Sequence, residues 1–220
     1  MKDLSCLLAG LARLLGPIVI MLLWRKRTKA RLLPAVVALA LCFPVFMLAN
    51  AIRSGFDYSS SISFYIQQGL LYAILEETAK YIAMRFILSD YDECKDAVTY
   101  SIGHGAYEDL GGGVSCFKLI GKGIAHPMIF PLNFWALFEG TISGAASCIM
   151  ILYGIRAGKS RIMLPAAVAF HAAGNIVLAV FIESAAVIIT TLLTAAELYI
   201  AVRCREAMQI PPINETEQQL

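Results

Sequence analysis

The stretch LYAILEETAKYIAMRFIL, from Leu71 to Leu88, decides how this chain folds. It is apolar enough to cross a bilayer, yet Glu76, Glu77 and Lys80 lie at its middle. An ionisable group near the bilayer centre costs roughly 2.5–3.5 kcal/mol, so such a cluster persists where it faces a protein interior, is paired, or takes part in chemistry. Helical spacing lets Lys80 reach either glutamate, so one glutamate can be held while the other stays free. A buried ion pair that only locks helices together is the alternative interpretation.

The composition is that of a membrane protein. Hydrophobic residues make up 59% of the 220 residues and charged residues 15%, and the mean hydropathy is +0.70. We therefore predict an all-α polytopic membrane protein, a bundle of about seven transmembrane helices around a polar intramembrane site. Residues 1–210 are predicted to form a single domain, with its core motifs in residues 71–175, and residues 211–220 a short polar cytoplasmic tail. The net charge of +2, with basic residues mostly between apolar runs, argues against a nucleic-acid partner.

Apolar windows of about 20 residues predict the individual spans. The third span is long for a straight crossing and is expected to tilt or protrude. The fourth contains Gly103, Gly105 and Gly111 to Gly113 and is expected to break. Arg13 is a charge inside the first span, and a carboxylate on a neighbouring helix is its expected partner. The predicted spans are Leu4–Trp24, Leu32–Ile52, Phe64–Leu88, Ala97–Phe117, Pro131–Tyr153, Ile162–Ile182 and Ser184–Val202.

The loop charges predict the orientation in the cell membrane. The basic residues on one side are Arg25, Lys26, Arg27, Lys29, Arg31, Lys95, Arg156, Lys159, Arg161, Arg203 and Arg205, against Lys2, Arg53, Lys118 and Lys122 on the other. The positive-inside rule then puts the N-terminus outside and the C-terminus in the cytoplasm. The six cysteines have no CxxC spacing, so neither a zinc knuckle nor a disulfide framework is indicated.

Two histidines lie inside predicted spans, each with a polar residue one helical turn later. His104 in YSIGHGAYEDL is followed by Glu108, and His171 in FHAAGN is followed by Asn175. For either histidine by itself, a structural interhelical hydrogen bond is the simpler interpretation. Both histidines, however, lie at depths comparable to that of Glu76 on separate helices, so we expect all three side chains to surround one polar cavity.

Such a cavity holds the parts of a peptidase. A carboxylate and a histidine can activate water and protonate a leaving amine, while a second histidine and an asparagine can donate to an oxyanion. The same Glu76, His104 and His171 can bind zinc instead, although HExxH is absent. A proton-coupled transporter is the alternative from another class, and it predicts an inverted repeat or paired broken helices, of which the sequence shows no sign.

The segments EETAKY, YSIGHGAYE and FHAAGN, in that order on separate spans, resemble the three motifs of the CAAX-protease and PrsW superfamily of glutamic intramembrane endopeptidases. The similarity is greatest to its YhfC branch of membrane peptidases and covers Leu71 to Asn175. Lys80 stands three residues after Glu77, where the CAAX enzymes have an arginine four residues after the second glutamate, and this favours a PrsW-like or YhfC-like branch. The resemblance implies a cofactor-free endopeptidase whose substrates are membrane proteins or peptides, with zinc as the alternative cofactor.

The resemblance also implies roles for the motif residues. Glu76 would activate water together with His104, while His171 and Asn175 would form the oxyanion site. The residues implied as catalytic are Glu76, Glu77, His104, His171 and Asn175, with Lys80 and Glu108 supporting them.

Overall fold

The computed structural model describes residues 2–56, 60–181 and 183–209. In these ranges the chain forms seven α-helices, which confirms the predicted all-α bundle. A π-helical turn, Ala83–Ile87, extends the third helix. The predicted tail, residues 211–220, lies outside the described residues, as does Ile182 at the predicted end of the sixth span. The helices are α1 Lys2–Thr28, α2 Leu33–Arg53, α3 Ser61–Ile82, α4 Cys94–Gly121, α5 Ile129–Arg156, α6 Ser160–Val180 and α7 Glu183–Gln209.

Five of these helices, α1, α2, α5, α6 and α7, are long and apolar enough to cross a membrane. The α3 and α4 helices have similar lengths, but they carry the motif glutamates and histidine that lower their hydropathy. The outer surface of the bundle is rich in large apolar side chains such as Leu22 and Phe86, which are 62% and 69% exposed. An apolar exterior around a polar interior is the pattern of a multi-pass membrane protein.

The α4 helix runs unbroken from Cys94 to Gly121, so the expected break at its glycines is wrong. These glycines let neighbouring helices come close. A Cβ on Gly103 would lie 2.5 Å from the carbonyl oxygen of Ala35 in α2, and one on Gly113 would lie 3.1 Å from the carbonyl oxygen of Gly10 in α1. Small residues at such contacts are a common packing device in membranes, and they leave the hydrogen bonds within the helix intact.

The predicted third span does not continue as a regular α-helix to Leu88. The α-helix ends at Ile82, and in the π turn the Leu88 amide donates to the Ala83 carbonyl oxygen at 2.8 Å. Turns of this kind are rare and often lie near functional sites. This one begins three residues after Lys80, immediately beyond the charged cluster.

Helix packing separates the two motif-bearing helices α3 and α4. The α3 helix packs mainly on α6, whereas α4 packs on α1, α2 and α5. A partly buried contact between Arg13 and Asp109 at 2.7 Å, with Asn133 accepting from Arg13 Nε at 3.0 Å, links α1, α4 and α5. Asp109 is therefore the carboxylate partner that Arg13 was expected to have. The arrangement leaves α3 and α6 facing α4 across an open space at the centre of the bundle.

Candidate active site

One turn of α3 places three charges inside the bundle. Glu76, Glu77 and Lys80 are 2%, 0% and 3% exposed, and all three face other helices rather than lipid. The two glutamates have different partners because consecutive helical residues point about 100° apart. This separation divides the site into a tightly paired half around Glu77 and a second half around Glu76.

Glu77 is held from three sides. Its Oε1 accepts from Lys80 Nζ at 2.6 Å and contacts His171 Nδ1 at 2.7 Å, and its Oε2 accepts from the Ser147 hydroxyl of α5 at 2.9 Å. Lys80 Nζ also donates to Ser147 Oγ at 3.2 Å. A buried carboxylate needs this many donors to offset its desolvation. Glu77 thus holds the His171 ring through Nδ1, with its charge balanced by Lys80.

Glu76 faces α4. Its Oε2 lies 3.2 Å from His104 Nε2, and the same His104 nitrogen lies 3.6 Å from Glu108 Oε1. One ligand atom from each of Glu76, His104 and Glu108 lies within 4.8 Å of the other two. The Glu108 side chain is 43% exposed, so this cluster opens on one side while Glu76 and His104 stay buried.

His171 from α6 approaches Glu76 from the paired half of the site. Its Nε2 lies 3.6 Å from Glu76 Oε2, while its Nδ1 contacts Glu77. Asn175, one turn further along α6, faces the same space. The structure therefore brings together side chains from α3, α4 and α6. Their similar depths in the sequence predicted this convergence for Glu76, His104 and His171.

The hydrogen-bond partners fix the proton position of one imidazole and allow two arrangements for the other. Glu77 can only accept, so His171 donates through Nδ1 and presents its Nε2 lone pair towards Glu76. His104 Nδ1 lies 3.2 Å from the Cys42 sulfur, which can donate or accept, and His104 Nε2 lies 3.2 Å from Glu76 Oε2. With its proton on Nε2, His104 donates to Glu76. With its proton on Nδ1, both imidazoles present lone pairs towards the Glu76 carboxylate, an arrangement that suits a cation.

Two cavities meet at this cluster. The front groove, of about 780 Å³, lies between α2, α3, α4 and α6, and the rear chamber, of about 210 Å³, lies between α4, α5, α6 and α7. Glu108, His171 and Asn175 line both cavities. The front groove is also lined by Phe46, Tyr72, Tyr107 and Gly111, and the rear chamber by Ser101, Gly140, Ser143, Thr194 and Glu197.

Several of these residues were not identified from the sequence. Ser147 and Cys42 resemble ordinary small residues of membrane helices, and only their contacts show what they hold. Glu139 and Glu197 have a weak signal in the sequence. Glu139 precedes Ser143 and Ser147 at intervals of four on α5, and Glu197 follows Thr190 by seven residues and Thr194 by three on α7. Regular polar stripes on otherwise apolar helices indicate faces turned to the bundle interior.

No curated protein and no solved structure matches the chain. One family does match over the first four helices, from the middle of α1 to the end of α4, and this part contains the charged turn of α3 together with His104 and Glu108. His171 and Asn175 lie beyond it, and the wider CAAX-protease and PrsW superfamily stays a prediction. The family is described as YhfC intramembrane metalloprotease, and its model matches residues 14–121, a little under half of the chain.

Proposed function

We propose that this protein is a metal-dependent intramembrane peptidase of the YhfC type, which hydrolyses peptide bonds of membrane-embedded substrates. The observation that carries the proposal is the cluster of Glu76, His104 and Glu108, whose ligand atoms converge at the junction of two cavities. The description of the matching family as a metalloprotease supports the same chemistry. The prediction of a cofactor-free site therefore lacks support, and its zinc alternative is favoured.

The three side chains fit a zinc ion. Tetrahedral zinc with ligands at about 2.0–2.1 Å separates neighbouring ligand atoms by about 3.3–3.4 Å. The distances from His104 Nε2 to Glu76 Oε2 and Glu108 Oε1 are 3.2 and 3.6 Å. When His104 carries its proton on Nδ1 and donates it to the Cys42 sulfur, Nε2 is free to coordinate. Zinc held in this way supplies a Lewis acid that polarises the scissile carbonyl and lowers the pKa of a water molecule to about 7.

This ligand set differs from the zinc alternative considered from the sequence, which used His171 in place of Glu108. Glu108 was expected only to support the catalytic residues. Its contact with the Nε2 of His104, on the cavity side of the ring, fits a ligand better, because the orienting position at Nδ1 is filled by Cys42. All three proposed ligands also lie within the part of the chain that matches the family.

In this proposal His171 is the general base. Glu77 fixes the imidazole through Nδ1, which leaves Nε2 to take a proton from the attacking water and return it to the leaving amine. The Glu77 carboxylate also stabilises the imidazolium that forms, as the aspartate does in a serine-protease triad. Asn175, on the same face of α6, offers an amide N–H to the oxyanion that develops on the carbonyl.

The front groove is the proposed binding site for the substrate. Phe46 packs between Tyr72 and Tyr107 in tilted ring contacts, with ring centroids 5.5 and 5.1 Å away, and the three rings form an apolar wall beside the cluster. A Cβ added to Gly111 would meet no atom within 4 Å, so the α4 side of the groove is open. Apolar walls with a few polar groups at one end are typical of binding sites, and here they suit a peptide that arrives from the membrane.

Metal analysis combined with peptide cleavage tests this assignment. We expect the purified protein in nanodiscs to hold one metal per chain, to cleave members of a proteome-derived peptide library, and to lose cleavage to a chelator until zinc is added back. Glu76→Gln, His104→Ala and Glu108→Gln should lose the metal. His171→Ala should keep the metal and lose cleavage by about 10²–10⁴-fold, because it removes only the base.

The 3.2 Å contact between Glu76 and His104 also suits a second mechanism, in which the two side chains share a proton and activate water without a metal. In that case cleavage survives chelation, Glu76→Gln abolishes it, and Asn175→Ala slows it by about 10²–10³-fold as one oxyanion donor is lost. Chelator-resistant cleavage by a metal-free protein would replace the zinc assignment with this one.

A further inference from the structure

The rear chamber contains polar groups that the proposed peptidase mechanism does not use. Among the described residues, Glu197 Oε1 and Ser101 Oγ are buried side-chain oxygens with no hydrogen-bond partner. The two residues are 2% and 3% exposed and come from α7 and α4. Leaving a buried polar atom unpaired is unfavourable, so native proteins nearly always supply a partner or an ordered water. Both residues line the rear chamber, which is where that partner must be.

Two further pairs of polar side chains in the chamber hold one another in place. Ser143 donates to Glu197 Oε2 at 2.6 Å, and Thr194 donates to Glu139 Oε1 at 2.6 Å. These contacts cross from α5 to α7 and point the two carboxyl groups along one wall. The second oxygen of Glu197 is left to meet whatever fills the chamber.

Glycines from three helices keep the chamber open. A Cβ added to Gly105 of α4, Gly140 of α5 or Gly174 of α6 would meet no atom within 4 Å. The cavity of about 210 Å³ has room for several waters, since each occupies about 30 Å³ in the liquid. A polar wall, unpaired oxygens and sufficient volume are together the conditions under which a buried cavity is hydrated.

We propose that the rear chamber is a water-binding site that supplies the hydrolytic water to the catalytic cluster. This inference rests on the proposed peptidase function. Hydrolysis of each peptide bond consumes one water, whose oxygen joins the carbonyl carbon as the C–N bond breaks, while one of its protons ends on the leaving amine. An apolar substrate segment in the front groove keeps water from reaching the cluster from that side. The rear chamber borders Glu108 and His171 on the opposite side, so water from the chamber replaces the molecule that is consumed.

Glu197 acts in this scheme as a positioning residue, because it anchors chamber water without touching the substrate. Glu197→Gln keeps an oxygen acceptor and nearly the same shape, whereas Glu197→Leu removes every polar atom. Gly140→Leu fills the space from the α5 side, away from the metal ligands and His171. Leu192→Ala on α7 is the matched control, since Leu192 is 65% exposed on the outer surface.

Hydroxyl-radical footprinting of the full chain in nanodiscs detects the water directly. X-ray pulses split ordered water into hydroxyl radicals, and these radicals modify the side chains next to that water. We expect fast modification of Phe170 and Leu193, which line the chamber, and slow modification of the lipid-facing Leu192. In Glu197→Leu and Gly140→Leu the modification of Phe170 should fall to the level of Leu192. The Gln variant should stay close to wild type.

Cleavage rate and metal content complete the test. Glu197→Leu and Gly140→Leu should keep their zinc and slow cleavage by about tenfold, the effect of losing one well-held water, whereas Leu192→Ala should not change it. Slow modification of Phe170 in the wild type would overturn the proposal. A second metal ion per chain that disappears in Glu197→Leu would also overturn it, by assigning the chamber to a cation. Fast modification of Phe170 in a protein that cleaves no peptide would instead refute the peptidase function and leave the hydrated chamber standing.

Discussion

Glu77 and Lys80 form a buried ion pair on which both the stability of the bundle and the orientation of His171 depend. Glu77→Gln removes the negative charge but keeps the shape. Lys80 would then lose its counter-ion and keep only neutral hydrogen-bond partners, such as Ser147 Oγ at 3.2 Å, in a site where it is 3% exposed. An uncompensated buried charge costs about 3–5 kcal/mol, so we expect a loss of unfolding free energy of that size. Lys80→Met should also destabilise the protein, since it leaves the buried Glu77 carboxylate without its counter-ion.

The double variant Glu77→Gln/Lys80→Met removes both charges at once. Replacing a whole buried pair is often close to neutral, so we expect it to lie within about 1–2 kcal/mol of wild type and well above either single variant. The coupling energy between the two sites is then several kcal/mol. The double variant should nevertheless cleave slowly, by about 10²–10⁴-fold, because His171 has lost the carboxylate that stabilises its protonated form.

Steric trapping in bicelles measures the unfolding free energies, and peptide cleavage by the folded variants measures the rates. Glu206→Gln is the matched control. Arg203 and Glu206 have the same three-residue spacing and a 2.7 Å contact, but their side chains are 67% and 53% exposed, so the loss should be about 0.5 kcal/mol or less. If Glu77→Gln lowers the unfolding free energy as little as Glu206→Gln does, the buried ion pair does not stabilise the bundle. A double variant whose loss equals the sum of the two single losses would refute the coupling between the two charges.

Three further predictions concern His104, its helix and the membrane orientation. Cys42→Ala should weaken zinc binding by about 10–100-fold in a metal-competition assay, because the His104 ring loses the partner at Nδ1, while Cys116→Ala on the same helix as His104 should leave zinc affinity unchanged; equal affinities would remove Cys42 from the site. Gly103→Ala should lower the unfolding free energy by about 1–3 kcal/mol, since its Cβ would lie 2.5 Å from Ala35 O, whereas Gly105→Ala should be tolerated because its Cβ meets open space; similar losses for both would contradict the close packing of α2 and α4. A reporter fused at Lys159 should be cytoplasmic, as the loop charges predict, and an external signal there would reverse the orientation of the whole chain.

Much of the fold follows from local properties of the sequence. A helix that crosses a bilayer needs about 20 apolar residues whatever its neighbours are, so composition and length locate most helix ends to within four residues. The exceptions are the third span, predicted to end six residues beyond Ile82, and the seventh, predicted to end seven residues before Gln209. The cost of burying Glu76, Glu77 and Lys80 also predicts an inward-facing polar site before any contact is known. His104 and Glu108 are four residues apart and therefore share one helical face, and in the structure His104 Nε2 lies 3.6 Å from Glu108 Oε1.

Tertiary packing decided what local properties could not. The sequence indicates which side chains share a helical face, but the rotation of one helix against another determines which faces meet. For this reason Glu108, expected only in a supporting role, lies where it contacts His104 Nε2 beside Glu76. Cys42, Ser147 and Glu197 each contact a side chain of a helix that is distant in the sequence, and no local pattern predicts such a contact. The α4 glycines predicted a break because glycine weakens an isolated helix, and in the bundle close contacts with α1 and α2 outweigh that weakness.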